Sequence, residues 1–545
     1  MRKQVATLLT VVFLVSLGLT ANAAVKPGTS CQKLGQTSIS SGKKYTCIKS
    51  GKKLVWNKGM LVSKPNSTPS PISSPTATST PLPTPINSQS STPISNEPKV
   101  GSECEYIGNR IPLNSGNYLE CRMIANGKNS LIEIKENIAS PINTTQLGNM
   151  KDCQVPDQTN RSINDKRSHP IGYMPDRIQS TVYPTEGSFK IVIIPIDFSD
   201  FPGTESDLMN LQGQANNIEK WFSYESNGKL KVSVSYVNKW LRAPKTSQLY
   251  NWNHPGSENS GTINPTNLSD DQIGQDYVNV ADQYLDFNNV GAIFILHPYR
   301  IPTIDHGILA NVNVNSSEGM FFPFIVANGF QNDRQDGAYW SYWIHQLGHH
   351  LGFEGHSPDE LAHFDLMNDI AGFSFSTTTW NQLLVDWLLP SQLYCRTLNN
   401  LNSDEVTLTS IDSLSNGVKS AMIVMSSHEV LVIESRRKDY WSTATKTLVR
   451  MKKEVFDGFY GVEVYLVDTA KMNDPNISID SPEYDPNVQY KYARNLVVSK
   501  NHVSEFKGVN GLQYFMLLGD SFIFRNVKIS LVASGNFDTI KIEKI

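Results

Sequence analysis

The chain has 545 residues, too many for one compact core, so its length implies several domains. Charged residues make up 18% and hydrophobic residues 39%, ordinary proportions for a folded soluble protein. A formal net charge of -3 carries no pointer to nucleic acid, and no basic tract argues for a membrane surface.

The N-terminus reads as a targeting segment. Arg2 and Lys3 supply positive charge, Val5 to Leu19 are mostly apolar, and Ala21-Asn22-Ala23 is a small-x-small cleavage site. Residues 1–23 are therefore expected to be a removed signal peptide. No cysteine closely follows the apolar run to take a lipid, and no later stretch is long and apolar enough to span a bilayer. The expected location is secreted and extracellular, with cell-surface association as a variant.

Next come two similar short segments, residues 24–61 and 99–136. Both begin Gly-x-x-Cys, at Gly28 to Cys31 and at Gly101 to Cys104. Both then run through glycine, tyrosine and cysteine, as Gly42, Tyr45, Cys47 and as Gly116, Tyr118, Cys121. The pattern predicts a duplicated small β-module with one disulfide per copy, since so short a unit buries little core and gains from a cross-link. Two readings stand side by side. One is attachment to a cell wall or polysaccharide, with Trp56 and several lysines of the first copy available. The other is a spacer. Residues 62–98, rich in Ser, Thr, Pro and Asn, are expected to form an extended linker.

An even set of cysteines in an exported chain suggests disulfides. Cys31 and Cys47 share one module and Cys104 and Cys121 the other, which leaves Cys153 with Cys395 by exclusion. That bond would staple the start of the large domain to its end. Residues 137–187 form a connector or pro-like segment without a marked processing site.

From Phe189 the texture changes to that of a folded body, taken as residues 188–395. Phe189 to Pro195 is a branched apolar run that predicts a buried strand. Residues 205–224 space Leu208, Leu211, Ile218 and Phe222 as a helix does, and Gly228 ends it. Lys229 to Val237 alternates as a half-buried strand. Tyr277 to Leu285 reads as helix and Ala292 to Leu296 as a second buried strand. The order is α+β. Residues 396–545 are β-rich, with candidate strands at Ser420–Met425, Val430–Glu434, Gly461–Val467, Tyr514–Leu518 and Val527–Ala533, and a small β-sandwich is expected.

The segment that carries chemistry is Trp343-Ile-His345-Gln346-Leu-Gly-His349-His350-Leu-Gly352-Phe-Glu-Gly355-His356. Residues four apart on a helix share a face, so His345 and His349 can grip one ion. Gly352 suits the helix end, where a left-handed residue lets the chain reverse. The reversal can return His356 as a third ligand, leaving a fourth position open as in catalytic zinc sites. His350 would point away from the pair.

This segment resembles the zinc-peptidase signature H-E-x-x-H-x-x-G, and most closely the immune-inhibitor-A-type secreted metallopeptidases. Further similarities follow in order: Ile191 to Gly203, Trp221-Phe222-Ser223 with Gly228-Lys229-Leu230, Phe364-Asp365-Leu366-Met367, Trp380 to Trp387-Leu-Leu-Pro, Glu434-Ser-Arg436-Arg437, and Val464 to Asp468. The resemblance implies a zincin-like domain, one zinc ion, a peptide or protein ligand, and Met367 in a methionine turn beneath the metal.

Two departures bear on activity. The family's catalytic glutamate is Gln346 here, and a neutral amide cannot take a proton from the attacking water or return it to the leaving amine. The third ligand of the longer signature falls on Gly355, so His356 is one position late, with Asp359 as the alternative. Glu354, Asp359 and Asp365 lie close in sequence and read as solvated loop charges rather than replacement bases. The expectation is a secreted metallopeptidase-like protein with impaired or lost hydrolysis. The alternatives are a working zinc endopeptidase with another base, or a surface-binding protein that acts through its cysteine modules.

Overall fold

A computed structural model describes residues 29–61 and 98–545 except for stretches within them. The longer of these are 160–169, 175–182, 251–267, 329–339, 368–374, 438–459, 472–490 and 498–513. The signal segment, the linker, Glu354 and Asp359 lie outside the described residues. The chain divides into residues 1–94 and 95–545. The expected mixture of strands and helices is present, with many strands and few helices.

In the first module, strand Lys43–Ser50 pairs antiparallel with Thr37–Ser40, Lys53–Trp56 and Met60–Leu61. Cys31–Cys47 closes it over a small core of Tyr45, Cys47 and Trp56. Trp56 is only 8% exposed, so it serves that core and is not available for a surface ligand, a correction to the expectation above. A unit this short has little else to bury around its cross-link.

The second module is a three-stranded sheet of Arg110–Pro112, Tyr118–Met123 and Asn129–Ile134, closed by Cys104–Cys121. It is joined to the C-terminal part of the chain. The Arg122 guanidinium donates to the Gly535 carbonyl at 2.9 Å, and Lys135 and Asn536 exchange hydrogen bonds.

The body is built on a six-stranded sheet. Its central strand, Gly187–Asp197, runs parallel to Leu230–Tyr236 and Leu241–Arg242 on one side and to Val290–Leu296 on the other. Phe324–Asn328 continues the parallel order, and Gly307–Leu309 adds an antiparallel edge. Ile191, Val192, Ile193 and Ile194 are all fully buried. The run is continuously apolar because both faces of the sheet are covered. Helices α1 (Leu211–Glu225) and α3 (Trp340–Leu351) pack on one face, and α2 (Asp270–Ala281) on the other. Helix α2 begins earlier than its apolar pattern suggests. Ser269 and Gln272 form a reciprocal capping box there, which satisfies end donors that periodicity does not register.

The C-terminal region forms two facing sheets. One orders Leu393–Thr397, Ser420–Val424, Glu429–Arg437, Tyr460–Asp468 and Ala493–Asn495, and the other Ser403–Leu408, Asp538–Lys544, Val527–Ser534 and Ser521–Phe524. Ile423, Ile433 and Val464 from the first sheet share one core with Val406, Ile529 and Ile540 from the second. The outer face of the larger sheet packs Met422, Val432 and Tyr465 against Trp380, Leu383 and Leu384 around helix α4 (Thr379–Leu384), so sandwich and body share a core. Cys153–Cys395 lies within it.

The connector is bound rather than loose where it is described. Asn143 exchanges hydrogen bonds with the Thr407 backbone, Thr145 donates to Glu405, and the Trp380 indole donates to the Ile171 carbonyl.

Candidate metal centre

Helix α3 places the centre through its apolar stripe. Trp340, Trp343, Ile344, Leu347 and Leu351 recur at helical spacing and are fully buried against the sheet and α1. Trp343 stacks on Phe294 with ring centroids 5.3 Å apart, and Gln214 of α1 accepts the Trp340 N–H at the helix start. With that stripe held, His345 and His349 sit together on the adjoining face. Gly352 has φ of 93°, and Phe353 N–H donates to the Gly348 carbonyl. This six-to-one closure reverses the chain as a left-handed glycine allows.

The reversal brings His356 back. One ligand atom from each of His345, His349 and His356 lies within 4.8 Å of the others, and the ring centroids are 4.9 to 5.2 Å apart. His345 is buried, His349 half-buried and His356 exposed. In a tetrahedral zinc site, Zn–N bonds near 2.0–2.1 Å put ligand nitrogens about 3.3 Å apart. Small rotations of the two less buried rings would close the set to that spacing.

The donor chemistry fits a cation. His345 Nδ1 lies 2.7 Å from the Leu366 carbonyl oxygen, which can only accept. The proton therefore sits on Nδ1, and Nε2 keeps its lone pair for the cluster. His350, by contrast, packs on Phe324 at 4.2 Å and on Tyr183, away from the three.

The Leu366 carbonyl is itself held. Asp365 accepts from Ser357 Oγ at 2.5 Å, from Asn381 Nδ2 at 2.7 Å and from Met367 N–H at 3.1 Å. Ser357 N–H donates to the Met367 carbonyl. One carboxylate thus ties the turn under His345 to the residue after His356 and to α4. Asp365 is fully buried, and burial raises its pKa against the pull of these donors. It is not the solvated loop charge expected from sequence. Met367 packs beneath the helix at Gly348, where a Cβ would come within 2.8 Å of its sulfur and 2.9 Å of the Phe353 ring. Only glycine allows so close an approach between the two histidines.

The sandwich reaches the same turn. Arg436 is fully buried among Asp412, Glu434 and Glu463, at 3.4, 3.2 and 3.0 Å. Its guanidinium lies 6.0 Å from the Phe364 ring. Glu434 and Glu463 are cross-strand neighbours, the arginine meets both, and burial raises the Glu463 pKa to about 8 against the pull of that arginine.

Gln346 follows His345 on α3 and is half-buried. Helix α3 contains no acidic residue, and no described carboxylate joins the histidine cluster. The three histidines singled out from the sequence come together, and Met367 packs against the helix at Gly348. Nothing in the sequence marked out Gly348, Ser357, Asn381 or the Leu366 carbonyl, which carry no spacing signal of their own. Comparison with protein-family models and with curated proteins finds no match for this chain.

Proposed function

We propose that this chain is a zincin-like, metallopeptidase-related secreted protein whose His345, His349 and His356 hold one zinc ion, and that Gln346 leaves peptide hydrolysis impaired. The observation that carries the reading is the convergence of two imidazoles of helix α3 with His356 from the turn after it, beside a position that offers only the amide of Gln346. A bound zinc ion would supply Lewis-acid polarisation of a carbonyl or water.

The protein's own residues account for the rest. Leu366 fixes the tautomer and direction of His345. Asp365 is engaged by three donors, so it is no base. Gln346 can donate to or accept from a substrate or water, but its side chain cannot carry a proton between them. Positioned acid–base groups contribute roughly 10²–10⁴-fold in rate, and that factor is absent. Among the described residues the antiparallel strand Gly307–Leu309 stands at the edge of the sheet, which supports a peptide as ligand, because a sheet edge can pair with an extended main chain.

Elemental analysis of the purified mature chain tests the metal, with His345→Ala as control. One zinc per chain, lost in the control, is expected. No metal in either protein would overturn the assignment. Gln346→Glu tests the chemistry. It should raise chelator-sensitive cleavage of a broad peptide library by about 10²-fold or more. A wild-type chain that cleaves as fast as this variant would refute impairment.

A further inference from the structure

The two cysteine modules share one backbone design. Cys31 N–H donates to Leu54 and Cys104 N–H to Asn129, while Trp56 N–H donates to Thr29 and Leu131 N–H to Ser102. Bridges Ser30↔Val55 and Glu103↔Ser130 occupy the same place, and Cα atoms across each disulfide are 5.9 Å apart. In this register Ile48 corresponds to Arg122, each following the second cysteine.

The same sheet face meets different fates. In the second module Glu120 and Arg122 are 1% and 5% exposed, and Arg122 reaches the Gly535 carbonyl of the sandwich. In the first module Ile48 is 42% exposed, opposite a half-buried Val55 and beside exposed Lys53. Lys33 is exposed as well, and so is Lys49, which follows Ile48 in the strand and so lies on the other face of the sheet.

The charges diverge with the faces. Residues 99–136 contain five basic and five acidic side chains. Arg110 and Arg122 both meet Glu120 at 2.9 Å, and Lys128 meets Glu103 at 2.6 Å. Residues 24–61 contain eight lysines and no acidic residue. Solubility alone does not require a module to lose every acid. The eight lysines are distributed along the length of residues 24–61 rather than gathered at one point of the sequence, which suits many weak contacts to a repeating ligand.

We propose that the first module is a docking surface for an anionic, phosphodiester-linked polymer of the cell envelope. Its lysines serve as point charges for successive phosphates, and the Ile48–Val55 patch lies along the polymer's carbon backbone. The inference stands apart from the metal centre, because no residue of residues 24–61 belongs to that site.

The test uses the full mature chain and immobilised poly(glycerol phosphate), with neutral dextran and duplex DNA as comparison surfaces. Binding to the phosphate polymer should weaken steeply with salt. A lysine near an anionic surface is worth roughly fivefold in affinity. Lys33→Gln with Lys49→Gln and Lys53→Gln should therefore lose on the order of a hundredfold. The matching Lys→Arg triple should bind as wild type does, which separates charge from folding. Equal binding to dextran, unchanged binding by the glutamine triple, or loss by the arginine triple would overturn the proposal. Tighter binding to DNA would reassign the partner, and a change in oligomeric state without polymer binding would point to self-docking instead.

Discussion

Replacing both Cys153 and Cys395 with alanine removes a bond between residues 242 apart in sequence. In the chain-entropy account, closing a loop of that size restricts the unfolded chain by about 18 cal/mol/K, or about 5.5 kcal/mol at 25 °C. Removing native disulfides typically costs about 2–5 kcal/mol, so a loss of about 3–5 kcal/mol is expected here. Both cysteines are buried in the core that joins α4 to the sandwich, and alanine adds only a small packing loss. Urea unfolding followed by tryptophan emission reads the change, since Trp221, Trp340, Trp343, Trp380 and Trp387 are all fully buried. The metal content of the folded variant should stay at the wild-type level, because the histidines rest on the core formed by α1, α3 and the sheet. A loss below about 1 kcal/mol would refute the entropic reasoning. Loss of metal from the still-folded variant would refute the separation of the two cores.

Two further outcomes follow from buried carboxylates. Asp365→Ala removes the buried carboxylate that accepts from Ser357 Oγ, Asn381 Nδ2 and Met367 N–H, and should cost about 3 kcal/mol in chemical unfolding. Metal affinity measured by chelator competition should fall about tenfold or more, and unchanged affinity would show that the turn does not position His345. Burial raises the Glu225 pKa to about 8, opposed by donors from Thr377 and Gln382 and reinforced by Asp412. An acid whose folded pKa exceeds its unfolded value favours folding at pH below the unfolded value, and that stability is lost as pH rises through the folded one. Stability should therefore fall between about pH 4.5 and 8, on the order of a few kcal/mol. Glu225→Gln should flatten that decline and be the more stable protein at pH 8, as read by thermal unfolding in a pH series. Parallel pH curves for the two proteins would contradict the assignment.

Much of the body was legible because its strands are fully buried. Runs such as Ile191 to Ile194 announce themselves without any partner in view. Helix α1 was legible from its spacing, with Ile218 and Phe222 on the buried side. The strands Leu393–Thr397, Ser403–Leu408 and Asp538–Lys544 were not. Their residues are mixed in polarity, and they pair far from their own segments: Leu393–Thr397 joins Ser420–Val424, and Ser403–Leu408 joins Asp538–Lys544 across more than a hundred residues, as Ser403 joins Glu543. Register of that kind follows from which faces find a common core, and no local window contains that information. The role of Trp56 was misjudged for a related reason. An aromatic side chain in a tiny domain serves equally as core or as contact, and only the packing around the disulfide decides.

The amino-acid sequence by itself determined the donors: three imidazoles, a glycine to turn the chain, and the amide of Gln346 next to the first imidazole. Composition and spacing suffice for these because ligand chemistry and helical periodicity belong to residue types and to intervals of three and four. The tertiary structure decided what holds the donors in place. The Leu366 carbonyl, the buried Asp365 and the Gly348–Met367 contact come from separate segments. They act only when the turn, α4 and the sandwich are brought against α3, since hydrogen bonds and close contacts depend on distances that chain order does not specify.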